Sequence, residues 1–254
     1  VTSDIDTALE RAIALVRRSA MPEHPDTSRG YLDLLGGDDA PRPTVAQSAM
    51  NNRIVAAIYE RLWRPAGVAA MGFYGLSPAA ERQKAADDLH LSGSQRVLDV
   101  ACGPGNFTSF FGSRLNGDGI AVGFDISKPM LDMAARENRN AHAAYIRGDA
   151  RHLPFDDGTF HGVCCYAALY LVPEPFTVVR EMLRVLAPGG RVTIMTSYTR
   201  ENLLVREAIT MGAKSIGVRM FDRSTFPTMF ADAGLTDIHQ QIHGIAQFVS
   251  ARKP

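Results

Sequence analysis

The sequence predicts an α/β fold with a mostly parallel sheet, and three observations carry that prediction. Apolar runs such as Val97-Leu98-Asp99-Val100, Gly119-Ile120-Ala121-Val122-Gly123-Phe124-Asp125 and Ala144-Tyr145-Ile146 read as buried strands. Helix-like stretches alternate with them, which is the order a parallel sheet needs. The first run also breaks into a glycine-rich turn, Ala101-Cys102-Gly103-Pro104-Gly105, and restarts as a helical pattern at Asn106-Phe107-Thr108.

Taken in order, residues 1 to about 20 read as an amphipathic helix with Ile5, Leu9, Ile13 and Val16 on one stripe. Residues 21 to about 47 hold Pro22, Pro25, Gly36-Gly37-Asp38-Asp39 and Pro41, the composition of an irregular connector. A helical pattern returns from Ala46 to Trp63 and stops at Arg64-Pro65. This divides the chain into a helical extension and connector (1–48), a helical lid segment (49–76) and a main domain (77–254). Within the main domain a third strand ends near Gly148-Asp149, a fourth spans Thr159 to Tyr166, and Ala187-Pro188-Gly189-Gly190 turns into a fifth, Val192 to Thr196. Residues 201–233 read as largely helical, with Phe226-Pro227 opening one helix and Gly234 ending it. Two strand-like runs, Leu235 to Ile242 and Ile245 to Ala251, close the chain around His243-Gly244.

Composition bounds the function. Lys plus Arg and Asp plus Glu are both 27 in 254 residues, so no polyanion partner is indicated and nucleic acid is not expected. No run of about eighteen apolar residues suggests a membrane span, and the first residues do not read as a signal peptide. Three cysteines without paired spacing argue against a disulfide framework. The expectation is a cytoplasmic protein; its oligomeric state is not legible.

Open α/β sheets bind ligands in the crevice beyond the carboxyl ends of their strands. There the chain carries Asp99, Asp125 and Asp149, an acidic rim suited to a ligand with hydroxyls, an exocyclic amine and a positive charge. The Asp99-to-Gly105 loop, Asp125, Gly148-Asp149 with Leu153-Pro154-Phe155, and Ala187-Pro188-Gly189-Gly190 occur in an order that resembles the class I S-adenosylmethionine-dependent methyltransferases. The resemblance covers residues from about 50 to 254 and points to the broad "type 11" group that includes the ubiquinone and menaquinone methyltransferases.

It implies a Rossmann-like seven-stranded sheet, order 3-2-1-4-5-7-6, with an antiparallel terminal hairpin. It further implies S-adenosyl-L-methionine as cofactor, cradled by Gly103 and Gly105, held at the ribose by Asp125 and at the adenine amine by Asp149 and the Ala150 backbone. Asp99, Ala101, Cys102, Pro104, Asn106, Ile126, Met130 and Tyr166 complete the expected cofactor contacts.

Methyl transfer from a sulfonium needs a base only if the acceptor holds a proton, so the sequence names no catalytic residue. His152, His161 and Tyr170 are the candidates, each weighed against a packing or surface role. His161 and Tyr170 also depart from the family pattern, as does Ala101, which stands where glycine is common and is tolerable there if its φ is negative. Cys164-Cys165 reads as buried strand. No metal is expected, although His239 and His243 have the spacing of helical ligands. The acceptor reads as a small, apolar or lipid-like molecule methylated at O, C or N. Aromatic residues and methionines suggest this: Trp63, Met71, Phe73 and Tyr74, then Met211, Met220, Phe221, Phe226, Met229 and Phe230.

Two alternatives stay open. One is an NAD(P)-dependent oxidoreductase, since Asp125 lies 20 residues past Gly105. Against it, Thr108 stands at the third glycine of that fingerprint. The other is a non-catalytic cofactor-binding or interaction module.

Overall fold

The computed structural model describes residues 4–36, 76–199 and 218–254. The expected lid segment as far as residue 75, with Trp63, Met71, Phe73 and Tyr74, lies outside the described residues, as does Met211.

An eight-stranded sheet organises the molecule. Its strands are β1 (Leu32–Asp33), β2 (Arg96–Val100), β3 (Ile120–Asp125), β4 (Ala143–Arg147), β5 (Phe160–Tyr166), β6 (Leu186–Ser197), β7 (Thr236–His243) and β8 (Ala246–Arg252). Their order is β1-β4-β3-β2-β5-β6-β8-β7. Neighbours run parallel except that β8 is antiparallel to both β6 and β7. From β2 onward this is the order the resemblance implies.

The eighth strand corrects the expected seven. Residues Leu32–Asp33 pair with Ile146 and Arg147 at the edge of the sheet, too short a run to show any period in the sequence. The stretch 21–36 is thus irregular but anchored: the Asp33 N–H donates to Asp26 O and the Leu34 N–H to Arg147 O.

Helices cover both faces, which is why the central strands are buried over nearly all of their length. One face carries α1 (Asp4–Ile13), α5 (Pro175–Val185) and α6 (Thr225–Asp232), the other α2 (Pro78–Asp88), α3 (Asn106–Gly112) and α4 (Lys128–Glu137). Local chemistry sets their starts. Ser77 caps α2, its Oγ accepting the Ala80 N–H at 3.2 Å, with Pro78 in the first turn.

In α1 Ala8 and Ala12 are fully buried, flanked by Leu9 and Ile13; small side chains let the helix approach the sheet. This helix is shorter than expected. After Ile13 the chain turns so that Val16 bridges to Phe155 and the Arg17 N–H donates to Pro154 O. Phe226 and Phe230 of α6, with Phe221 before it, are core residues on the α1 face. The expectation that they line an acceptor pocket is corrected: Phe221 and Phe226 pack edge to face, their centroids 4.9 Å apart.

Candidate cofactor site

The side chains of β2 alternate, so Leu98 and Val100 enter the α1-face core while Asp99 points to the α3 face. There it is 2 % exposed and pairs in register with Gly123 on one side and Cys164 on the other. Thr108 Oγ1 donates to its Oδ2 at 2.6 Å and Cys164 Sγ to its Oδ1 at 3.5 Å. Asp99 therefore lies beneath the loop and ties α3 to the sheet. Burial pushes its carboxyl up to about 6 against the pull of these two hydrogen bonds.

The sign of that shift gives a pH dependence. A carboxyl that keeps its proton in the fold to about pH 6, but loses it near 4 in the unfolded chain, binds more protons when folded, so its contribution to stability falls as pH rises through that window. Roughly two units correspond to about 3 kcal/mol. Urea unfolding is expected to show the wild type losing about that much relative to Asp99→Asn between pH 4 and pH 7; parallel pH profiles would contradict it.

The loop itself is built from left-handed turns. Ala101 has φ 55°, Gly103 φ 55° and Gly105 φ 82°. The condition set on Ala101 is not met: its φ is positive, a conformation costing a non-glycine residue roughly 1–2 kcal/mol. The surrounding bonds enforce it. The Cys102 N–H donates to Phe124 O at 3.2 Å, the Gly105 N–H to Cys102 O at 3.1 Å, and the Gly103 N–H to Asp125 Oδ2 at 2.8 Å. Among the described residues, a Cβ placed on Gly103 would meet nothing within 4 Å. The backbone there borders open space that a ligand can approach closely.

Gly105 is different: a Cβ there would lie 2.7 Å from Tyr145 Cε1. Tyr145, fully buried on β4, fills the space under the loop and donates to Asn138 O at 2.5 Å. Asn138 in turn donates to Pro104 O at 2.8 Å and Asn106 Oδ1 at 3.2 Å. Sequence reasoning missed Tyr145 and Asn138. The available signal was Gly123, a glycine inside a strand, which marks a close approach; here Tyr145 and Thr108 press against it.

Asp125 ends β3, 9 % exposed, its Oδ1 accepting the Ser127 N–H at 2.8 Å opposite the Gly103 contact. Burial pushes its carboxyl up, and the backbone donors at Ser127 and Gly103 oppose this. Ile126 is half-buried beside it, its carbonyl accepting from Arg147 Nε at 3.1 Å, and Met130 is buried on α4. Asp149 follows β4. Burial raises its carboxyl, but Arg151 more than offsets this and leaves it below the usual range. Arg151 grips it through Nε (3.1 and 3.0 Å) and Nη2 (2.7 Å) and also reaches Glu174 at 2.7 Å. Ala150, next in the chain, packs against the core.

Two expectations are corrected by position. Tyr166 is buried, and its hydroxyl shares a hydrogen bond with Thr193 at 3.1 Å while its ring packs on Phe107, 5.0 Å between centroids. Its side chain thus belongs to the α2–α3 core rather than the crevice. His161 sits at the opening residues of β5, the end of the sheet away from the loop, its Nδ1 accepting the Arg96 N–H at 3.1 Å. A base there is remote from the crevice, because five residues of strand span about 16 Å. His152 is exposed, its Nδ1 2.7 Å from its neighbour's carbonyl, and Tyr170 is half-buried against the core. His239 and His243 lie on a strand, about 13 Å apart by its rise, and no metal-binding group of His, Cys, Asp or Glu occurs among the described residues.

The residues present fit S-adenosylmethionine. Open space over Gly103, two buried carboxylates and the acidic third strand end suit a cationic nucleoside. They suit a pyrophosphate poorly. Where a dinucleotide fingerprint uses its third glycine for close helix–strand packing, this chain has Thr108 bonded to Asp99.

Comparison with known proteins bears on the same segment. Residues 97–190 match a family model described as a methyltransferase domain. Among curated proteins, the demethylmenaquinone methyltransferase of Lactiplantibacillus plantarum is 32 % identical over 129 residues, covering 49 % of this chain and 54 % of that protein. The ubiquinone/menaquinone biosynthesis C-methyltransferase UbiE of Idiomarina loihiensis is 38 % identical over 104 residues, 39 % of this chain and 41 % of that protein. The chain thus spans about half the length of the curated relatives it matches, or less.

Among solved structures, Haemonchus contortus phosphoethanolamine N-methyltransferase 2 in complex with S-adenosyl-L-methionine shares the fold, with a TM-score of 0.64 at 14 % identity over 83 % of this chain and 60 % of that one. Residues 97–190 are thus similar to a methyltransferase domain, and the stretch around them is similar in sequence to the ubiquinone and menaquinone methyltransferases.

Proposed function

We propose that the protein transfers a methyl group from S-adenosyl-L-methionine to O, C or N of a small, apolar acceptor. The observation that carries this is the Gly103 N–H seated on Asp125, with open space over Gly103, inside a segment that matches a methyltransferase domain. In this reading Gly103 and its neighbours in the loop border the methionine portion. The free lone pairs of Asp125 accept the ribose hydroxyls, and Asp149 with the Ala150 backbone takes the adenine amine, sharing the carboxylate with Arg151. Asp99 holds the loop from below.

When bound, the cofactor supplies an already activated sulfonium methyl. The protein's task is to fix the loop and the ribose so that the acceptor meets that methyl in line, and such orientation supplies on the order of 7–11 kcal/mol in good intramolecular models. The apolar acceptor is supported by the quinone-related names of the curated relatives. Cys102, Cys164 and Cys165 are free and buried, which supports a reducing, cytoplasmic setting.

Methyl-labelled S-adenosylmethionine incubated with the protein and alkylated hydroquinones, phenols or bulk RNA tests the reading. Label entering the organic phase with a hydroquinone or phenol is the expected result. Label on RNA, or on none of these, would contradict it.

A further inference from the structure

The strand register sets three charged residues in one row on the α2–α4 face. Asp33 of β1 pairs with Arg147 of β4, and Arg147 pairs with Asp125 of β3. Neighbouring strands lie about 4.8 Å apart, so the arginine rises between two carboxylates. It turns to one of them. Arg147 Nη1 donates to Asp33 Oδ1 at 3.1 Å, to Oδ2 at 3.0 Å and to Gly36 O at 2.9 Å. Both side chains are sealed from water, 4 % and 5 % exposed. Nε meanwhile lies on Ile126 O, one residue past Asp125.

A buried guanidinium that loses a paired carboxylate is drawn toward the nearest other one, because a buried charge short of its counter-ion is destabilising. Asp125 is next in the row, and Arg147 is already hydrogen-bonded to the adjoining residue. A charge-assisted pair there would occupy the lone pairs that ribose hydroxyls need.

We propose that Asp33, in the N-terminal arm, is a positioning residue that holds Arg147 off Asp125 and so keeps that carboxylate open to the ribose of the cofactor. The inference rests on the reading of Asp125 given above. It makes the arm part of the cofactor site, in line with Tyr31, which is 1 % exposed and packs in one cluster with Cys102 of the loop, Leu131 and Tyr145.

Calorimetric titration with S-adenosylhomocysteine, at a temperature where each variant is folded by near-ultraviolet circular dichroism, tests it. Asp33→Asn is expected to bind about tenfold or more weakly, the scale of one charged hydrogen bond. Adding Arg147→Met to that variant is expected to restore affinity to within about threefold, since the competing cation is gone. Val16→Ala, which loosens the arm without touching a charge, is expected to lower the melting temperature and leave affinity unchanged.

Wild-type affinity in Asp33→Asn, no recovery in the double variant, or an equal loss in Val16→Ala would each overturn the proposal. If Asp33→Asn does not fold, Asp33→Glu decides: retained affinity supports the proposal and a tenfold loss overturns it. A wild type that binds no S-adenosylhomocysteine would instead overturn the cofactor reading, and this inference with it.

Discussion

Gly105→Ala is expected to destabilise the protein by about 3 kcal/mol, a large share of the roughly 5–15 kcal/mol that holds a domain together. Two costs add. The residue has φ 82°, which carries roughly 1–2 kcal/mol for an L side chain. The new methyl would also press into the Tyr145 ring, and overpacking costs typically 1–3 kcal/mol. Tyr145 has no room to yield, being fully buried with its hydroxyl bonded to Asn138 O.

Gly103→Ala is the informative partner. Its φ is 55° but no described residue lies within 4 Å of the added methyl, so the conformational cost of about 1–2 kcal/mol is the one that applies. That methyl projects into the space assigned to the cofactor, and S-adenosylhomocysteine affinity should fall far more than stability. Urea unfolding and calorimetry on the two variants check both statements. Equal losses of stability at the two glycines would contradict the geometry described for the loop.

The contrast also shows what could be read in the sequence and why. The strand runs, the Gly-Pro-Gly turn and the acids at the strand ends were legible because burial on both faces and the crevice position leave local composition signals. Strand order beyond "mostly parallel" came from family resemblance, since pairing is non-local. The two-residue strand β1 was illegible for a physical reason: Leu32–Asp33 joins the sheet only because Arg147 and the β4 edge are there to receive it.

His161 was misplaced as a crevice candidate because apolar patterning locates a strand without weighing which end faces the ligand. For Tyr166 the pattern shows the strand but not the partner of its hydroxyl, Thr193, which lies 27 residues on in the chain. The sign of φ at Ala101 depends on bonds from Cys102 to Phe124 and from Gly103 to Asp125, contacts between segments more than 20 residues apart in the chain.

Asp125 carries the central claim. Both of its oxygens accept backbone N–H groups, from Gly103 and Ser127, and in the proposed reading the acceptor capacity left on the carboxylate takes the ribose hydroxyls. Asn offers only one acceptor oxygen, so its amide must face a backbone donor. Hydrogen bonds to a charged group are worth about 1.5–3 kcal/mol each, and losing even one of them should weaken cofactor binding about tenfold to a hundredfold.

The most direct measurement is calorimetric titration of the wild type and of folded Asp125→Asn with S-adenosylhomocysteine and, separately, NADPH. The account predicts that the wild type binds S-adenosylhomocysteine, that Asp125→Asn loses most of that affinity, and that NADPH binds neither. Wild-type binding of NADPH alone, or undiminished S-adenosylhomocysteine affinity in Asp125→Asn, would contradict it.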